Sequence, residues 1–172
     1  MSAIVVNGVR REVNSPPDTP LLYVLRNELQ LSSPQFGCGM AQCGSCSVLL
    51  DGKEVRSCIM PLSSVTGKEV TTLEGLPARW AKQKGLEGGA AQVLHPIQEA
   101  WIEEQTPLCG ACQSGMMIKA TELLESKAAP TVAEIKAAFT TSGPSAHLCR
   151  CGSYTAIIAA VQRAGVAMGK GR

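Results

Sequence analysis

The amino-acid sequence predicts an α+β protein in two parts: a strand-rich N-terminal domain around a single helix, then an all-α C-terminal domain. Three features of the chain predict it. Short β-rich runs flank Asn7-Gly8 and Asp51-Gly52, both strong hairpin signals. Beyond residue 95 the apolar pattern changes to helical spacing. Between the two patterns lies 75–92, which carries proline and glycine and little periodicity.

The first hairpin runs from Ala3 to Val13. Thr19 can cap a helix of about ten residues with Pro20 at its first position, and Leu21, Leu22, Val24, Leu25 and Leu29 recur at helical spacing. Ser32 to Gly44, rich in Gly, Ser and Cys, reads as a loop. Cys46–Leu50 and Lys53–Ser57 form the second hairpin, and Lys68–Leu73 adds a strand. Pro96–Glu104, Gln113–Glu125, Thr131–Phe139 and Thr155–Ala167 are four candidate helices. Ile118, Leu123 and Leu124 on the second, and Ile157, Ile158 and Val161 on the fourth, give apolar faces that need partners, so these helices are expected to pack as a four-helix bundle. The expected organisation is a first domain over 1–75, a linker over 76–94 and a helical domain over 95–172.

A chain of 172 residues that is 45% apolar and 17% charged can bury a core and is unlike a disordered chain. Its 16 Lys and Arg against 14 Asp and Glu leave a net charge of +2, and the cations are scattered, which argues against nucleic acid or an anionic membrane as partner. The N-terminus has no basic region followed by an apolar stretch of signal-peptide length, and no apolar run approaches the ~18–20 residues of a membrane span. Synthesis and assembly in the cytoplasm without direct membrane insertion are therefore expected. In that reducing compartment the eight cysteines point to metal ligation or redox chemistry instead of disulfides.

Cys38, Cys43, Cys46 and Cys58 are spaced C-x4-C-x2-C-x11-C, and the opening of this pattern is the plant-type ferredoxin spacing for a [2Fe–2S] cluster. Gly37, Gly39 and Gly44 would let backbone wrap closely around an inorganic core, with inward amides bonded to its sulfurs. A zinc site is the rival reading, although zinc modules pair C-x2-C units. Cys109 and Cys112 form a C-x2-C, and Cys149 and Cys151 a C-x1-C after 36 intervening residues. Both pairs precede candidate helices, whose positive ends favour thiolates. By residues alone this second quartet fits a [2Fe–2S] cluster, a four-thiolate zinc site or a C-x-x-C redox pair. Arg150 is either a solvated charge or a counter-charge to the thiolates. No P-loop or G-x-G-x-x-G is present, so nucleotide and flavin binding have no support in this chain. His95 and His147 have no nucleophile or carboxylate dyad beside them in sequence and read as structural, and no catalytic residue is predicted.

The segments Gly37-Cys-Gly-Met-Ala-Gln-Cys-Gly-Ser-Cys46, Cys109-Gly-Ala-Cys-Gln-Ser-Gly115 and Leu148-Cys-Arg-Cys-Gly152 resemble, in order and spacing, the small iron–sulfur subunit of the xanthine dehydrogenase and aldehyde oxidoreductase family. The wording is most similar to the isoquinoline oxidoreductase and nicotinate dehydrogenase branch. The resemblance implies a plant-ferredoxin-like (β-grasp) first domain, a four-helix second domain and one [2Fe–2S] cluster in each. It also implies a large partner subunit holding molybdenum on molybdopterin, in its cytosine dinucleotide form, and N-heteroaromatic compounds or aldehydes as substrates. Single electrons would pass from there to the cluster of Cys109, Cys112, Cys149 and Cys151, then to that of Cys38, Cys43, Cys46 and Cys58, then to a cytochrome c, quinone or flavin acceptor. An acceptor of that kind would allow a complex attached to a membrane or facing the periplasm through a partner. By the same resemblance Cys151 lies against the pterin. Where the family commonly has Gln before the C-x2-C, this chain has Leu108; Gln113 is the candidate replacement contact, and an exposed first-turn glutamine is the alternative. A freestanding two-cluster carrier and a zinc-binding interaction module are the rival functions.

Overall fold

The computed structural model describes residues 2–86 and 93–170. Five strands, β1 (Ser2–Val6), β2 (Val9–Val13), β3 (Ser47–Leu50), β4 (Lys53–Arg56) and β5 (Glu69–Thr71), form one mixed sheet in the order β2-β1-β5-β3-β4. Both predicted hairpins are present: β1 pairs antiparallel with β2 from Ser2↔Val13 to Val6↔Val9, and β3 with β4 from Ser47↔Arg56 to Leu50↔Lys53. The last strand, shorter than the predicted Lys68–Leu73, enters the middle of the sheet, parallel to β1 and antiparallel to β3.

The first helix, α1, begins at Leu21 and continues from Val24 to Glu28 in wider turns. Thr19 does not cap it: Pro20 occupies the capping position without a side-chain bond, and the Thr19 carbonyl accepts the Leu62 N–H at 2.9 Å. The free N–H groups of its first turn are used elsewhere, Leu21 donating to the Met60 carbonyl (2.7 Å) and Leu22 to that of Ser57 (3.0 Å). Helix α1 is thereby tied to the chain on both sides of Cys58. Leu21, Val24 and Leu25 pack under the sheet with Ile4, Val6, Val48, Leu62 and Val70, while Leu22 turns towards Ala41, Cys46 and Cys58.

The expected linker contains a helix. Residues Leu76–Lys84 form α2, with Pro77 in its first turn and Gly85 as its left-handed C-cap. The proline and glycine that suggested irregular chain are the start and stop signals of this helix. Residues 87–92 of the expected linker lie outside the described residues.

The four predicted C-terminal helices are present as α3 (Pro96–Glu103), α4 (Gln113–Ser126), α5 (Val132–Thr140) and α6 (Tyr154–Lys170). His95 caps α3, its ring accepting the Ile97 N–H at 3.2 Å while the Gln98 side chain accepts the His95 N–H at 3.0 Å. Thr131 and Glu134 form the equivalent capping box on α5. Ile97, Trp101, Met116, Ile118, Leu124, Ile135, Phe139, Ile157 and Val161 close a core that also takes in Leu49 of β3 and Leu76 of α2. β3 is thus buried on both faces, with Val48 and Leu50 towards α1 and Leu49 towards α4. This is why Ser47–Leu50 is wholly buried and carries no polar alternation. No helix among the described residues is long and apolar enough to cross a membrane.

Candidate metal centres

The first quartet is assembled by one loop and one hairpin. Amides of the loop point at sulfur: Gln42 and Met40 donate to Cys38 Sγ at 3.2 and 3.4 Å, Cys38 to Cys43 Sγ at 3.4 Å, and Ala41 to Cys58 Sγ at 3.4 Å. A Cβ on Gly37 would lie 2.7 Å from Cys43 Sγ, so a side chain here would displace that sulfur. The β3–β4 hairpin returns Cys58 to the loop, with Ser57 Oγ donating to the Cys46 carbonyl at 2.6 Å. Cys46 and Cys58 are buried; Cys38 and Cys43 are partly exposed.

The second quartet is assembled by helix packing. Cys112 occupies the N-cap of α4, and Cys149 and Cys151 lie just ahead of α6. All four sulfur-bearing residues line one narrow crevice, whose walls include Leu108, Gln113 and Ser153. Cys109 and Cys151 are exposed, and Cys112 and Cys149 partly buried.

The thiols meet in pairs, Cys46 with Cys58, Cys109 with Cys151, and Cys112 with Cys149. Among the described residues no three His, Cys, Asp or Glu side chains close around a single ion. Pairs of thiols suit a two-iron core, in which each iron takes two thiolates. Burial pushes Cys46 up to about 12 against a lowering backbone hydrogen bond from Cys58, the Cys58 thiol adding a smaller upward push, and burial followed by the Cys149 thiol pushes Cys112 up to about 12. Burial acts upward on Cys38 and Cys149 as well, but backbone and side-chain donors outweigh it and hold each at about 7. Each site contains a buried thiol that resists ionisation and so needs a cation before it becomes a thiolate. The donor sets fit iron–sulfur clusters on these grounds.

Comparison with known proteins agrees. A 2Fe-2S iron–sulfur cluster binding domain matches residues 4–73, and a second [2Fe–2S] binding domain matches 82–162. The chain is 42% identical to one of the subunits of nicotinate dehydrogenase from Pseudomonas putida, over 94% of this chain and 92% of that one. It belongs to the two-cluster iron–sulfur subunits of the molybdenum hydroxylases. It is also 42% identical to the alpha subunit of isoquinoline 1-oxidoreductase of Brevundimonas diminuta, over 95% of this chain and 97% of that subunit. The aldehyde oxidoreductase structure from Desulfovibrio gigas superposes with a TM-score of 0.84 at 31% identity, covering 99% of this chain but 17% of that longer one. Members of the family are oxidoreductase subunits, and the role of this one is electron transfer.

The two quartets of this iron–sulfur subunit face each other. Cys38, Cys43, Cys109, Cys112 and Cys149 share the wall of one cavity of about 380 Å³, with Arg150 and Tyr154 at its side. The Leu148 N–H donates to the Cys43 carbonyl at 3.0 Å, a direct bond between the two cysteine segments. The Tyr154 hydroxyl accepts the Cys149 N–H at 2.7 Å and donates to the His147 carbonyl at 3.2 Å. Gln113 is half-buried at the crevice, its amide 3.5 Å from where a Cβ on Gly110 would sit, whereas Leu108 is 70% exposed on the same rim.

One constellation escaped the reading of the sequence. Ser47, Glu54, Arg56, Lys119 and His147 form a buried polar seam between the sheet and the helices. Glu54 and Arg56 alternate with Lys53 and Val55 on β4, a pattern indistinguishable from a solvated hairpin strand until α4 covers it. His147 packs edge-on against Phe139 and beside Gly44, where a Cβ would come within 2.4 Å of the ring. Burial, then the charges of Arg56 and Lys119, push His147 down to about 3, so its imidazole is neutral and can accept.

Proposed function

We propose that this protein relays single electrons from a molybdopterin centre on a large partner subunit to an external acceptor. Cys109, Cys112, Cys149 and Cys151 hold the cluster nearer molybdenum, and Cys38, Cys43, Cys46 and Cys58 the cluster nearer the acceptor. Each cluster, when bound, supplies a reversible one-electron carrier. The protein holds eight thiolates, aims amides at the sulfurs of the first site and buries two of that site's four ligands. The observation that carries the reading is the juxtaposition of the quartets across one cavity, bridged by the Leu148 N–H on the Cys43 carbonyl.

The exposed edge formed by Leu108, Cys109 and Cys151 is where the large subunit would seat, with Cys151 and the Gln113 amide as contacts to the pterin, in its cytosine dinucleotide form. The relatives named for nicotinate and isoquinoline support an N-heteroaromatic substrate, and the aldehyde oxidoreductase supports an aldehyde as second choice. A cytochrome c, quinone or flavin partner would take the electrons, and its location would decide whether the complex stays in the cytoplasm or is held at a membrane. In this reading residues 1–75 are a β-grasp ferredoxin-like domain, 76–94 the connection, and 95–172 a four-helix-bundle domain.

Purification of the native complex, with metal, sulfide and haem analysis, tests this. About four iron and four acid-labile sulfide per small chain are expected, beside a large molybdenum-containing chain. Zinc without sulfide would leave the interaction-module reading standing. A fully loaded chain that never meets a molybdenum protein would make it a freestanding carrier.

A further inference from the structure

We propose that Arg56 is the positioning residue that sets the gap between the two clusters, by clamping the segment 145–149 onto the first cysteine loop. The proposal rests on the reading above, in which the two quartets hold clusters in series.

The Arg56 side chain is 1% exposed, as is that of Glu54, with which it pairs. Its Nη1 also donates to Ser47 Oγ at 2.5 Å and to His147 Nε2 at 3.0 Å. Its Nη2 donates to the Ser145 carbonyl at 2.7 Å and to Ser145 Oγ at 3.2 Å. One guanidinium thus spans β3, β4 and the segment that leads to Cys149. That segment is bonded in turn to the first loop, Ser145 Oγ donating to the Ala41 carbonyl at 2.5 Å and the Leu148 N–H to that of Cys43 at 3.0 Å. Lys119, from α4, sits 3.9 Å from the far oxygen of Glu54 and 2.7 Å from Glu122, so the carboxylates balance the cations locally.

Stability alone does not call for this arrangement. A buried ion pair can often be replaced by apolar side chains of similar volume at no loss, because desolvation offsets the attraction. What an apolar replacement cannot do is fix direction. The planar fork of arginine reaches the Ser145 carbonyl and the His147 ring at once, and a lysine ammonium, a compact point charge, cannot hold both. Freed from Arg56, the segment would keep its covalent path to Cys149 but lose the tether that registers Ser145 and His147 against Ala41 and Gly44. Electron passage and magnetic interaction between two clusters both fall steeply with separation, so a small shift of this segment is directly readable.

The test uses the full, cluster-loaded chain in its native complex. Arg56→Lys keeps a cation beside Glu54. The double variant Glu54→Gln/Arg56→Met removes the buried pair at constant net charge, so it decides the matter if the first fails to fold. Iron content, the spin–spin splitting between the two reduced clusters, and amide exchange at Leu148 are measured together. Wild-type iron with a lost or narrowed splitting and faster exchange at Leu148, in whichever variant loads, supports the clamp. Wild-type splitting and protection in a loaded variant overturn it and leave Arg56 a purely structural residue. Wild-type protein that carries no clusters would instead overturn the underlying two-cluster reading.

Discussion

The two cysteine quartets are assembled by opposite constructions. The first draws three of its four thiols from Cys38 to Cys46, receives at least four backbone N–H···S bonds and buries Cys46 and Cys58. The second joins two short motifs 36 residues apart in sequence, places them at the starts of α4 and α6 and leaves Cys109 and Cys151 at the surface. A loop that wraps its own metal can be complete within one domain. A site made where helices meet is completed only by the packing of those helices, and its open side suits a partner.

The sharpest break of this comparison comes from removing one ligand of each site. Cys46→Ser and Cys112→Ser should each lose about half of the iron and one of two electron paramagnetic resonance signals, a different one in each case. Loss of both signals from one folded variant would mean that the quartets are not independent. Metal removal probes the difference in exposure: treated with a chelator, the isolated chain should release iron first from the Cys109 and Cys151 site. Simultaneous loss of both signals would show that burial of the first quartet gives no protection.

Gly115 tests the contact between the two constructions. A Cβ there would lie 2.0 Å from the Gly44 carbonyl, backbone against backbone, so Gly115→Ala should destabilise the protein by about 3 kcal/mol and lower its thermal midpoint. An unchanged midpoint would mean that α4 can slide on the first loop. A smaller effect concerns pH. Burial pushes His95 down to about 4, so the unfolded chain takes up a proton near pH 6.5 that the folded one refuses. The stability due to neutral His95 is full above pH 6.5 and is lost as pH falls towards 4. His95→Asn, which can still cap α3, should flatten the stability profile in that window relative to wild type, as measured by denaturant titration. The smallest effect is expected at Thr131, whose capping box on α5 includes no member of either quartet. Thr131→Ala should cost about 1 kcal/mol and leave both cluster signals unchanged.

Much of this protein is local information. The Asn7-Gly8 and Asp51-Gly52 hairpins, the helices from Pro96 onward and the clustering of Cys38, Cys43 and Cys46 in one loop follow from turn chemistry, apolar period and spacing, all of which act over a few residues. Helix α2 is equally local, but Pro77 and Gly85 read as linker residues in the sequence and are in fact its boundaries. Other features exist only in three dimensions. Nothing near Lys53-Glu-Val-Arg56 says that Glu54 and Arg56 will be buried, because α4 and the segment carrying His147, which cover them, come some 60 to 90 residues later, as the Glu54–Glu122 and Arg56–His147 separations of 68 and 91 show. Nor does either cysteine set reveal that Leu148 will bond to Cys43 across the gap. Spacing along the chain keeps Cys38, Cys43 and Cys46 within reach of one another, but the 36 residues between Cys112 and Cys149 impose no such limit. How the two quartets sit relative to one another is decided by contacts that form only when the sheet and the helices have packed.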